Sequence, residues 1–186
     1  NPPYIRQEEL GPFKNHFQNA FDTYAGTADL YVYFVERGMK VLAPGGRFSY
    51  ILPNKWMRAG YGDKLRRFVR NECRIEAVTD FGDLPVFEEA TTYPCILELQ
   101  NAAPADTFPA ASLDTLNFES SLAEYLPARR FSVGLSGLQD SGWTLSDQGV
   151  QQLLDKLRRA GTPLGEYVEG KIYYGIKTGL NEAFVI

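Results

Sequence analysis

Hydrophobic positions along the chain fall into alternating helical and strand-like stretches. From Thr27 the spacing of Leu30, Phe34, Val35, Val41 and Leu42 predicts a helix packed on a core, with Thr27 as a candidate N-cap. Pro44-Gly45-Gly46 ends that pattern, and Arg47–Leu52 (RFSYIL) follows as a buried strand stopped by Pro53. Residues 62–72 place Leu65, Phe68 and Val69 on one helical face and Lys64, Arg66, Arg67 and Arg70 largely on the other. Ile75–Phe81 and Tyr93–Leu99 read as two further strands, joined by a loop through Pro85 and Phe87. Helix–strand–helix–strand and then a strand directly predicts an α/β fold, the edge of a mostly parallel sheet ending in an antiparallel hairpin.

Outside that core the pattern weakens. Residues 5–26 suggest a loop with short helical pieces, and His16 within it has no partner in sequence. Residues 101–145 are Ala/Pro-rich at first and carry no long periodic segment, so they are expected to be a wandering connector. Ser146 or Asp147 is placed to cap a helix running to about Arg159, closed by Gly161 and Pro163. The tail, 166–186, alternates apolar and Tyr positions among glycines, like the first strands of another domain. The expected division is therefore 1–100, 101–145 and 146–186. Because the chain opens without Met and inside a motif, it is expected to be part of a longer protein.

Charge changes this picture by its distribution rather than its sum. The net charge is −4, yet residues 1–74 hold 12 Lys/Arg against 7 Asp/Glu while 75–128 hold no basic residue and 10 acidic ones. A polyanion responds to the local field, so the first third could face phosphates while the middle third points away. Cys73 and Cys95, with His16 the single histidine, cannot assemble a four-ligand zinc site, so no metal is expected. Such sparse cysteine usage fits buried thiols in a reducing cytoplasm. No run of about 18 apolar residues is present, so no membrane span is expected.

The chemistry is concentrated in Asn1-Pro2-Pro3-Tyr4. One given tetrad occurs by chance in a chain of this length on the order of once in a thousand. Read blandly, it is a Pro-stiffened turn. Its chemical reading concerns an exocyclic amine, whose lone pair is delocalised into a heteroaromatic ring. Two acceptors binding its two N–H groups favour a pyramidal nitrogen with the lone pair aimed at an electrophilic methyl. The Asn1 side-chain carbonyl and a backbone carbonyl at Pro2 could be those acceptors. Consecutive prolines stiffen the loop and present no N–H, and Tyr4 offers an aromatic face. Preorganised dipoles of this kind act electrostatically, without a general base of unusual pKa.

The tetrad with Ile5-Arg6, then ADLYVYFVERG (28–38), PGGRFSYILPNKW (44–56) and FGDLPVFEEATTYPCILEL (81–99), resembles the adenine-specific DNA methyltransferases of the TaqI-like class found in restriction–modification systems. The resemblance covers most of residues 1–99, and YYGIKTGLNEAFVI (173–186) resembles the entry to that family's target-recognition domain. It implies a partial Rossmann-like methyltransferase sheet, S-adenosylmethionine as methyl donor and double-stranded DNA as partner, with the target adenine extruded from the duplex. It also implies that Phe87 stacks on the extruded base opposite Tyr4. The family's glycine-rich cofactor loop would lie upstream, so the chain by itself is expected to be inactive. Lys55, Arg58, Lys64, Arg66, Arg67 and Arg70 form a basic cluster whose default is a solvated face; Lys55 and Arg58, just beyond a strand end, are the candidates for phosphate contact. Gly60 and Gly62 lie too close together for a phosphate loop. A protein glutamine methyltransferase uses the same tetrad for the same electronic reason, and a non-catalytic DNA-binding scaffold is the third reading.

Overall fold

The computed structural model describes residues 1–88, 92–119, 121–171 and 173 of the 186-residue chain. Two compact units are present, Asn1–Gly149 and Val150–Ile186, each taken by itself below.

The first unit opens with the tetrad, a short 3-10 turn and α1 (Lys14–Ala20). His16 is an exposed residue of that helix rather than of a loop. α2 (Tyr31–Lys40) begins after Leu30, not at Thr27, and uses no side-chain cap. The reason is that residues 25–30 turn twice before the helix: Ala28 N donates to Ala25 O at 2.9 Å, and Leu30 N donates to Ile5 O at 3.0 Å. The second bond satisfies one N–H that a cap would have served and ties the residue after Tyr4 to the start of α2. Gly38 lets α2 lie close on the sheet, because a Cβ there would collide with the Phe48 ring.

β1 (Arg47–Pro53), β2 (Arg74–Asp80) and β3 (Pro94–Gln100) fall within one residue of the predicted strands. Between them come a 3-10 turn at Asn54–Met57, another at Gly60–Gly62, and α3 (Asp63–Glu72). β3 is antiparallel to β2, as the hairpin reading requires, but it is not an edge strand. It inserts between β1 and β2, pairing antiparallel with both.

The stretch expected as a connector adds two strands, β4 (Thr107–Ser112), parallel to β2, and β5 (Phe131–Gly134), antiparallel to β4. α4 (Leu122–Tyr125) lies between them, capped by Ser121. The sheet order is β1-β3-β2-β4-β5, with β1, β2 and β4 running one way. Side chains alternate across it. Cys95, Leu97 and Leu99 of β3 face the main core with Tyr31, Val35, Trp56 and Leu65, while Ile96 faces a smaller cluster with Phe81, Leu113 and Leu126. The fold is α/β, with a partial Rossmann-like sheet.

α5 (Gln148–Ala160) matches the predicted last helix, and Gly161 N closes it on Leu157 O at 2.8 Å. Ser146 is not its cap, since its buried hydroxyl has no hydrogen-bond partner. In the second unit α6 (Leu164–Tyr167) follows. Residues 166–171 of the tail expected as strands instead close α6 and form a turn, with Gly170 N donating to Gly165 O at 2.7 Å, while 172 and 174–186 lie outside the described residues.

Candidate active site

Tyr4 lies against the later half of β1. Asn1 and Pro3 are exposed, Pro2 is buried, and Tyr4 is half-buried. The Tyr4 hydroxyl donates to Ile51 O at 3.3 Å. Burial, and to a lesser degree the nearby Cys95 thiol, raise the Tyr4 phenol above its usual value, so it stays a neutral donor. Beyond it, Gln7 N donates to Asp29 Oδ1 at 3.1 Å, a second tie between this segment and the approach to α2.

The loop after β2 supplies the opposite wall. Gly82 takes φ +57°, a left-handed conformation suited to glycine, and turns the chain away from the sheet. Leu84 and Val86 pack into the smaller apolar cluster. Phe87 instead meets Tyr4, its ring centroid 6.2 Å away and the planes inclined at 69°. Both rings are half-buried, so Phe87 is not a plain core aromatic. Two residues 83 positions apart in sequence are thus brought together at the rim where β1 and β2 end, the usual ligand edge of an open α/β sheet.

Of the phosphate candidates, Lys55 is exposed and its ammonium has no hydrogen bond or ion pair among the described residues. Arg58 is also exposed, with its guanidinium 3.9 Å from the Asp80 carboxylate. Of the rest of the basic cluster, Lys64 and Arg67 are exposed as a solvated face requires, while Arg66 and Arg70 are turned into the protein. Arg66 is fully buried and donates to the carbonyls of Trp56, Ala59 (2.9 Å) and Asp140 (2.7 Å). Burial lowers its pKa. Arg67 and Arg70 pair with the Asp140 carboxylate at 3.2 and 3.0 Å. Gly62 leaves room for this, since a Cβ there would meet Arg66 Nη1 at 2.7 Å. The spacing of Gly62 and Arg66, one helical turn apart, was the available sequence signal.

Sequence reasoning also missed Asn54 and Asp80. Asp80 ends β2, is 6% exposed, and its Oδ1 accepts from Asn54 Nδ2 at 2.8 Å and from Gly82 N at 3.0 Å. A carboxylate at the very end of a strand, directly before the turn at Gly82, was the hint. Cys73 and Cys95 are free and buried, and burial pushes both thiols up to about 12, leaving them protonated and unreactive. Among the described residues no helix is long and apolar enough to cross a membrane, and no group of three or more His, Cys, Asp or Glu could hold a metal ion.

Comparison with known proteins shows what this chain is similar to. Residues 1–87 match the family described as Eco57I restriction-modification methylase. The whole chain aligns at 28% identity with Type II methyltransferase M.PaeR7I of Pseudomonas aeruginosa, covering 34% of that protein. It aligns at 27% with Type II restriction enzyme and methyltransferase RM.Eco57I of Escherichia coli, again over the whole chain, covering 19% of that protein. The chain therefore spans about a third or less of these relatives. Among solved structures, one described as a class I S-adenosylmethionine-dependent methyltransferase from Listeria monocytogenes superposes with a TM-score of 0.50. It covers 67% of this chain and 38% of that one at 21% identity, a likeness of fold.

Proposed function

We propose, from the match of residues 1–87 to the family described as Eco57I restriction-modification methylase, that this chain forms the target-base side of a DNA methyltransferase that modifies the exocyclic amino group of an extruded adenine. The observation that carries the reading is the edge-to-face contact of Tyr4 and Phe87 beside the tetrad. A base held between two parallel rings needs about 6.8 Å, two stacking steps of about 3.4 Å. The ring centroids stand 6.2 Å apart with the planes inclined at 69°, an edge-to-face contact, so one ring has to turn for a base to enter and stack. Base–aromatic stacking of about 1–3 kcal/mol per ring offsets the few kcal/mol that extrusion costs.

In this reading the Asn1 carboxamide oxygen and the Pro2 carbonyl accept the two amine N–H groups, and buried Pro2 with Pro3 keeps the acceptors in place. Exposed Asn1 at the rim fits a group that meets an incoming base, and the stiff N–H-free loop fits approach of a cationic methyl donor. S-adenosylmethionine, when bound, supplies the electrophilic methyl. Its glycine-rich binding loop is proposed to lie outside these residues, which makes the chain inactive alone. Lys55 and Arg58 contact the DNA backbone. Residues 1–100, with the two strands that 101–145 add to the same sheet, are the later part of the catalytic domain, and 146–186 lead toward a target-recognition domain.

The test is Asn1→Ala in the full-length protein, assayed by transfer of labelled methyl to duplex DNA. Turnover should fall by about 10²–10³, the usual loss for one preorganised dipole, with DNA affinity changed less than about threefold. Label recovered on adenine supports the proposal. Label on a protein glutamine, or turnover untouched by the substitution, overturns it.

A further inference from the structure

Both aromatic walls are hung from the same few residues at the end of β1. Tyr4 hangs from Ile51 O. The loop that carries Phe87 has two feet, and both meet Asn54. At the first foot, Asn54 Nδ2 donates to Asp80 Oδ1 at 2.8 Å and to Gly82 O at 3.2 Å, while Gly82 N returns a bond to the same carboxylate oxygen at 3.0 Å. At the second, Asn54 N donates to Tyr93 O at 2.7 Å, and Phe81 N closes the loop base on Pro94 O at 3.1 Å. Asp80 is nearly buried, and its backbone carbonyl is held by Leu113 N at 2.9 Å, so the carboxylate projects from a fixed strand end. Both amide hydrogens of Asn54 are used on one short stretch of this loop.

We infer that Asn54 and Asp80 are positioning residues: their side-chain hydrogen bond sets where the Phe87 loop stands relative to Tyr4 and so sets the width of the base gap. Neither touches the ring pair itself. The inference rests on the proposed function for its chemistry, but its structural content does not. Asn54 offers the two donors that the Asp80 carboxylate and the Gly82 carbonyl, both acceptors, require. A carboxylate at 54 would oppose Asp80 directly, and an alanine would free the first foot. An error of about 1 Å in such a gap is enough to cost about 10²-fold in rate.

The experiment uses the full-length protein with Asn54→Ala, Asn54→Asp and the double variant Asn54→Asp/Asp80→Asn. Amide hydrogen exchange without DNA should run at least about tenfold faster across 82–88 in Asn54→Ala, with exchange in α2 and α3 unchanged. With bulk chromosomal DNA, kcat should fall about 100-fold while DNA binding stays within about threefold, and the double variant, which returns a donor facing an acceptor, should recover at least about tenfold over Asn54→Asp. Unchanged exchange across 82–88 overturns the inference whatever the substrate proves to be. Faster exchange in a protein whose unaltered form never labels adenine leaves the positioning intact and sinks the functional reading instead. Should Asn54→Asp fail to fold, Asn54→Ala, which adds no second carboxylate, carries both measurements.

Discussion

Charges buried behind the helices and charges at the rim of the sheet behave as two different materials. Glu36 of α2 and Arg66 of α3 are fully buried and fully partnered: Glu36 accepts from Thr23 N, Thr23 Oγ1, Asp22 N and Lys40, and Arg66 serves three carbonyls. Lys55 and Arg58, in the segment leading into α3, point outward with one distant ion pair between them. A basic run in sequence is therefore not one feature. Where a carbonyl-lined space meets the guanidinium, the charge is architecture. Where the backbone turns outward at a strand end, it remains available to a ligand.

The sharpest way to break this contrast is Arg66→Ala, which strands the carbonyls of Trp56, Ala59 and Asp140. It should lower stability by about 3–5 kcal/mol, read as a shift in the urea midpoint, and a loss below about 1 kcal/mol would place Arg66 with the rim residues. Next is Glu36→Gln. Burial pushes this carboxyl up, but hydrogen bonds from Lys40, Thr23 and Asp22 outweigh it and hold it below its usual value. A depressed folded pKa gives stability that is present above the unfolded value of about 4.3 and lost as pH falls through the folded one. The variant should be weaker by about 1–3 kcal/mol at pH 7, and the difference should shrink as unfolding is followed below about pH 4. A constant difference down to pH 2.5 would contradict it. Smallest in stability is Lys55→Ala/Arg58→Ala, at under about 0.5 kcal/mol. Its effect should appear in the salt dependence of DNA binding, with the slope of log K on log salt shallower by about 0.9 for each phosphate that is no longer neutralised.

Strand limits were legible because RFSYIL and the two runs after it are apolar stretches punctuated by Pro and Gly, which local chemistry alone delimits. Motif resemblance singled out the tetrad and Phe87, and the contact between Tyr4 and Phe87 is a pairing that local pattern alone does not show. Insertion of β3 between β1 and β2 was not, because adjacency is set by long-range packing and both orders share one hydrophobic pattern. Arg66 was misplaced for a related reason: a helical wheel assigns a guanidinium to water unless carbonyls from residues 56 and 140 are known to await it. β4 and β5 escaped notice because four- to six-residue strands containing Pro109 or Gly134 carry little periodic signal. The Asn54–Asp80 bond joins positions that nothing in the intervening 25 residues connects.

The reversed direction of β3 has an evolutionary consequence. Its start, Pro94, sits beside the end of β2, so the intervening segment leaves and re-enters the sheet at nearly one point. Closing a flexible excursion costs only about 0.6 kcal/mol more for each doubling of its length. The loop that follows β2 can therefore change in length or composition while every strand pairing is kept. Lineages could diversify what surrounds the substrate there without re-inventing the scaffold that holds it.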